Sequence, residues 1–349
     1  MERIGLSLRY LLLLALLSAL FACGHRELSD PLDSHYVRLY LDEEIKNVTC
    51  GFYNENCEKP EYVRPMSMRV ILADPQTGEV VSERILRGQG KDAKGYYIDG
   101  HIAAPAGTYN ILFHSVGSSV TNIGNEDDYY GIYAFTNPIG EYYLQYLPGT
   151  KQEFSKKRIV NQPDLLFHDV QEQITLQKSK TVDTIKRNDG EYFVAHSMVL
   201  TYYLQIKVHG IEWVKSAASL ISGMAGSSML NGHGVLIETD PVHLFFSMKY
   251  IDKKRESDAS GAVLYATFNT FGKLPDATTI YTLNMEFIRS DGSSQVEQID
   301  ITPMFDTPMV MENRWIILDH EIVVDPPDGT GGMMPGVEGW KDIEADVEI

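Results

Sequence analysis

Short runs of strand-forming residues, each cut off by a turn of Gly, Pro, Asn or Asp, recur from residue 35 to residue 325, and long helical periodicity is missing. Val37, Leu39 and Leu41 alternate with Arg38 and Tyr40, a period of two that sends one face of an extended chain into a core. Residues 66–73 run apolar into Asp74-Pro75-Gln76-Thr77-Gly78, and 79–86 resume as a strand, so the pair predicts a hairpin. Residues 102–113 predict a strand, a Pro105-Ala106-Gly107 turn and a strand restarted by Tyr109. Residues 129–135 and 142–147 are further candidate strands, and 164–176 closes this half. A polar connection over 177–190 leads to a second β-rich half. That half opens at 191–208 and continues through 235–237, 244–250, 262–271, 280–288 and 296–301, with Ser290-Asp291-Gly292-Ser293 as a tight turn. The best helix candidate is 214–230, weakened by its glycines. The expected fold class is therefore all-β, with two β-sandwiches in tandem.

Both ends of the chain differ from this body. Arg3 and Arg9 precede a short apolar run over 10–19, and Leu20-Phe21-Ala22-Cys23-Gly24 follows directly. Signal peptidases need small residues at the cut and lipid transfer needs a thiol, so this is the pattern of a lipoprotein leader, with Phe21 bulkier than the usual occupant. An ordinary secretory leader with an incidental Cys is the alternative. On the lipoprotein reading, residues 1–22 are removed and Cys23 receives a diacylglycerol and an acyl chain; no other cofactor is expected. Residues 23–34 form a lipidated tether, 35–176 the N-terminal sandwich and 177–325 the C-terminal one. Residues 326–349 are a Pro/Gly linker and a terminal strand. In 342–349, Ile343, Ala345, Val347 and Ile349 would face one way and Asp342, Glu344, Asp346 and Glu348 the other, so such a strand needs a pairing partner to bury its apolar face.

A net charge of −18 repels phosphate backbones and anionic headgroups, which argues against a nucleic-acid partner and leaves membrane attachment to the lipid. Cys50 and Cys57 flank the polar stretch 51–56; in an oxidising compartment they suit a local disulfide, the alternative being two unpaired thiols, and no metal site is expected. The histidines are scattered and Ser219–Ser228 holds no nucleophile elbow, so no catalytic residue is assigned and an enzyme is not expected. The acidic cluster Asn125-Glu126-Asp127-Asp128 lacks the alternation of a calcium loop. Beside it stand Tyr129, Tyr130, Tyr133, Tyr142, Tyr143 and Tyr146. Exposed, they would stack on sugars, with Tyr129 and Tyr130 as ligand contacts; half-buried, they are ordinary strand residues.

Four stretches together resemble a family of Bacteroidetes surface lipoproteins grouped with the fimbrillins, of the minor-fimbrium anchoring subunit type. They are Cys23-Gly24-His25-Arg26-Glu27-Leu28; the corner Pro105-Ala106-Gly107-Thr108-Tyr109; the segment 214–230 with Ala266-Thr267-Phe268-Asn269-Thr270-Phe271-Gly272; and the tail 335–349 with Trp340. The resemblance implies two transthyretin-like β-sandwiches and a non-enzymatic role at the outer membrane and cell surface, with fimbrial subunits or other surface proteins as partners. It also implies assembly by β-strand addition, with the lipid on Cys23 and a donor-strand face of Ile343, Ala345, Val347 and Ile349. The same strand paired with its own second domain is the alternative. The rival function is a surface glycan-binding lipoprotein for nutrient capture, built on Tyr129 and Tyr130.

Overall fold

The computed structural model describes residues 33–42, 63–140, 158–178, 183–231, 241–251, 262–274 and 278–327. The first half contributes β1 (Asp33–Leu41), β2 (Met68–Ala73), β3 (Val80–Leu86), β4 (Gly88–Asp92), β5 (Gly95–Ala104), β6 (Gly107–Ser115), β7 (Thr121–Gly124), β8 (Tyr133–Thr136), β9 (Ile159–Val160), β10 (Phe167–Leu176), β11 (Asp183–Ile185) and β12 (Phe193–Ser197). The second contributes β13 (Leu200–His209), β14 (Val214–Met224), β15 (Ser227–Met229), β16 (Val242–Ser247), β17 (Lys249–Ile251), β18 (Ala262–Thr270), β19 (Thr282–Arg289), β20 (Ser294–Asp300) and β21 (Trp315–Val323). A single short α-helix is present among the described residues, α1 (Pro308–Asn313), capped by Thr307, whose side chain accepts from the Val310 N–H.

The N-terminal sandwich is one ladder folded on itself. Its strand order is β3-β2-β6-β10-β12-β1-β5-β4, with β11 beside β1. β10 and β12 share only the pairs Phe167↔Ser197 and His168↔His196, so this short contact is where the ladder turns from one layer to the other. Alternate residues of the two layers fill the space between them: Val37 and Leu39 of β1, Val70 and Leu72 of β2, Ile98 and Ile102 of β5, Ile111 and Phe113 of β6, and Phe193 of β12. The corner before β6 follows from local chemistry. The Tyr109 hydroxyl donates back to the Pro105 carbonyl at 3.0 Å, and Gly107 leaves room for the ring, since a Cβ there would sit 3.0 Å from the hydroxyl oxygen.

The C-terminal sandwich packs the sheet β17-β18-β13-β21 against β20-β19-β14-β16-β9. Leu204, Ile206, Leu264, Phe268, Ile316 and Leu318 from the first sheet meet Ile221, Leu244, Phe246, Leu283, Met285 and Phe287 from the second. Each such side chain, taken fully out of water, contributes about 1.5–3 kcal/mol. The expectation of tandem all-β sandwiches agrees with these layers.

Three expectations change. Residues 214–230 are not a helix but β14 and β15, because β14 lies between β16 and β19 and hydrogen-bonds to both. Its small side chains are weak strand formers alone, and the central place in a sheet overrides that preference. Of the strand expected over 129–135, residues 129–132 form a turn and only 133–135 lie in β8, which begins at Tyr133. The connection over 177–190 contains β11, and β11 and β12 pair with β1 while β12 also pairs with β10, so strand pairing carries the N-terminal sandwich on to Ser197. The candidate strands at 142–147 and 235–237 lie outside the described residues.

The halves interlock. β9 joins the C-terminal sheet through a parallel pairing with β16, and β15 reaches back to β8, forming the small sheet β15-β8-β7. A separate apolar cluster fills this junction: Ile71 and Leu112 from the outer face of the N-terminal sandwich, Tyr129, Ile132 and Ala134 from the turn and β8, and Ala225, Leu230, Phe271 and Leu274 from the second half. β6 is thus buried on both faces, which explains its nearly continuous apolar run.

Candidate functional site

The end of the C-terminal sandwich is where the described chain stops, at Pro327. β21 is an edge strand, parallel to β13 and hydrogen-bonded to it from Tyr203↔Trp315 to His209↔Val323. Beyond it, the Val324 N–H donates to the His209 carbonyl at 2.9 Å. Gln295 of β20 clips the same segment from the other sheet: its Nε2 donates to the Val323 carbonyl at 2.8 Å and its Oε1 accepts from the Asp325 N–H at 3.1 Å. Arg289 holds that amide in place by donating to the same Oε1 at 2.8 Å. Gly210, at φ +78°, permits the close approach, because a Cβ there would overlap the Val324 carbonyl oxygen. Both sheets therefore hold the backbone of residues 323–325. Ile343, Ala345, Val347 and Ile349 lie outside the described residues, as do Cys23, Cys50 and Cys57.

The tyrosines behind the glycan reading divide. Tyr129 is 1% exposed and belongs to the junction cluster, and burial pushes its hydroxyl well above the ordinary tyrosine range. This removes Tyr129 as a ligand contact. Tyr130 is 43% exposed, but its hydroxyl donates to the Pro75 carbonyl at 2.6 Å and accepts from Asn110 Nδ2 at 3.3 Å. Its ring meets Tyr129 edge-on at 5.3 Å. The pair ties the 74–78 turn to the junction instead of offering a stacking platform. Tyr133 is half-buried on β8; Tyr142, Tyr143 and Tyr146 lie outside the described residues. In the neighbouring acidic loop, Glu126 pairs with Arg69 and Asp128 accepts from the Tyr130 N–H at 3.0 Å. Among the described residues no group of three or more His, Cys, Asp and Glu side chains could hold a metal ion. No helix among them is long and apolar enough to cross a membrane.

A different aromatic surface covers the outer face of β1, β5 and β4. Cross-strand pairs place Tyr36 by His101, Arg38 by Asp99 and Tyr40 by Tyr97. Tyr36 donates to Asp99, Tyr40 donates to Asp92 Oδ2 at 2.7 Å, and the Arg38 guanidinium lies 3.9 Å from the centre of the Tyr97 ring. Beside it, a cleft of about 300 Å³ is lined by Leu41, Met66, Gln89, Lys91 and Tyr96, with Arg64 stacked 3.5 Å over Tyr96. The alternation of β1 carried a signal for the outward set, since Arg38 and Tyr40 stand between the core residues. Only strand pairing brings Asp92, Tyr97 and Asp99 to them.

The junction holds polar groups that the sequence did not mark. Register across four strands lines up Arg69 of β2, His114 of β6, His168 of β10 and His196 of β12 on one face. His114 is 2% exposed; burial pushes its imidazole down to about 4 and also lowers that of His168.

A family model described as a domain of unknown function, DUF5119, matches residues 55–246, a span that crosses the junction from the N-terminal sandwich into the C-terminal one. A curated Bacteroides ovatus protein, described as a candidate fimbrium anchoring subunit (Fim4B), is 24% identical over 365 positions, covering 95% of each chain. Among solved structures, a candidate adhesin from Bacteroides ovatus superposes with a TM-score of 0.55 at 19% identity, over 88% of this chain and 98% of that one.

Proposed function

This chain belongs to the DUF5119 family, and on that premise we propose that it is a cell-surface fimbrial anchor or accessory subunit that joins other fimbrial subunits. The observation that carries the reading is the match with the candidate fimbrium anchoring subunit over 95% of each chain. The fold likeness to the candidate adhesin is compatible with two sandwiches forming a stalk. The role is structural, not enzymatic. In this reading the lipid on Cys23 holds the protein in the outer membrane, and Cys50 and Cys57 close a local loop. The tail leaves the clip formed by Gln295 and offers Ile343, Ala345, Val347 and Ile349 as the apolar face of a strand added to a neighbouring subunit.

Surface crosslinking on intact cells tests this, comparing the full chain with a truncation ending at Lys341 and identifying the attached proteins by mass spectrometry. Fimbrial subunits captured by the full chain and lost on truncation are the expected result. Equal capture by both overturns the strand-addition step, and no fimbrial subunit in either sample overturns the anchor reading. Val347→Asp refines the outcome: weaker assembly is expected, whereas unchanged assembly with a lower Tm means that the strand pairs within its own chain.

A further inference from the structure

His114 and His168 stand directly opposite each other on β6 and β10, on the face of the N-terminal sandwich that the second half covers. Each has a buried ring nitrogen with no hydrogen-bond partner, Nε2 of His114 and Nδ1 of His168. The other nitrogen of His114 faces the Ser115 carbonyl at 3.0 Å, and the His168 ring reaches the backbone carbonyl of Leu230, just past β15. His168 therefore touches the strand that docks one half on the other. The hydrogen-bonded part of β15's docking is short: β15 pairs with β8 over three residues, assisted by the Leu230 N–H to the Ile132 carbonyl and Asn231 Nδ2 to the Tyr130 carbonyl, while Leu230 adds its apolar contact to the junction cluster.

We propose that this imidazole pair makes the junction an acid-released contact, in which protonation frees β15 and Leu230 from the N-terminal sandwich while both sandwiches stay folded. A buried imidazolium with one N–H unmet is costly even when a carbonyl accepts from the other, and here two would sit side by side. The surrounding charges set the balance. Arg69 of β2 flanks His114 and opposes its protonation, while Glu83 of β3 favours it. Asp169 of β10 favours a charge on His168, and His196 of β12 opposes it. Glu83 and Glu126 are themselves held by Arg69, Asp169 by Arg187, and His196 by Asp42, so each of these neighbouring groups already has a partner that competes with a new imidazolium. Among the described residues of the second half, the Leu230 carbonyl reaches the His168 ring. Opening the junction exposes both rings to water, where they carry their protons without penalty, so acid favours the open state.

The test is amide hydrogen exchange on the full chain from pH 7 to pH 4, corrected for intrinsic rates, with imidazole NMR shifts followed in parallel. Protection in β8 and β15 should fall by at least about tenfold between pH 6.5 and 4, while β13 and β14 keep theirs. His114→Gln with His168→Gln should flatten that fall, and His101→Gln, at an exposed residue of β5 away from this row, should leave it unchanged. If the double variant does not fold, the wild-type titration decides alone: the two imidazoles must titrate together with the loss of protection. Junction protection that persists while they titrate, an equal fall in the folded double variant, or simultaneous loss from β13 and β14 overturns the proposal.

Discussion

The interior of the C-terminal sandwich and the junction between the halves are both closed to water, but they are built differently. In the sandwich, Leu264, Phe268, Leu283, Met285 and Phe287 meet across two broad sheets, with the Ser219 hydroxyl as an unpartnered polar atom on β14. At the junction, apolar residues share the space with Tyr129, Thr136, Ser227, His114 and His168, each with a buried polar atom that lacks a partner. An apolar interior gains free energy with each group removed from water; a polar one loses part of that gain to unmet hydrogen bonds. The difference teaches where this chain can open: the sandwiches are cooperative bodies, and the contact between them is the weaker element.

The comparison breaks first under core truncation. Phe287→Ala should cost about 3–5 kcal/mol and remove protection throughout β13, β14 and β19, as read by denaturant melts and hydrogen exchange. Leu230→Ala should cost about 2–5 kcal/mol but confine its loss to β15, β8 and the 129–132 turn; a loss spread into the sandwiches would merge the two regions. Acid sharpens the contrast. His114 and His168 are depressed in the folded state, so their contribution is complete above the ordinary imidazole value of about 6.5 and is lost as pH falls toward about 4. A melt series over that window should show it, and the His114→Gln/His168→Gln variant should reduce the slope. Smallest is Tyr109→Phe, which removes the bond to Pro105 and should cost about 0.5–1.5 kcal/mol in the N-terminal sandwich alone.

Much of the architecture was legible beforehand because its cause is local. The alternation of Val37, Leu39 and Leu41, the turn after Asp74 and the Pro105–Tyr109 corner each specify a strand or its end within a few residues. Asp74 accepts from the N–H groups of Gln76 and Thr77, the chemistry its turn position implies. Residues 214–230 were misread because their fate depends on β16 and β19, both distant in sequence. Tyr129 and Tyr130 were legible as a pair, but not their burial, since the cover comes from Leu230 and its neighbours about a hundred residues away. The tail clip and the histidine row likewise had no local signature: Gln295 and Val323 meet only when two sheets pack, and Arg69, His114, His168 and His196 align only in register.

By itself the sequence determined an acidic, strand-rich chain in two halves, with a short apolar run before Cys23 and an alternating tail, because charge, period and turn chemistry are properties of neighbouring residues. Only the tertiary structure decided that the halves exchange β9 and β15, that Tyr129 turns inward, and that two imidazoles share a buried contact. Each of those depends on which distant strands pair, and pairing is settled by the packing of whole sheets.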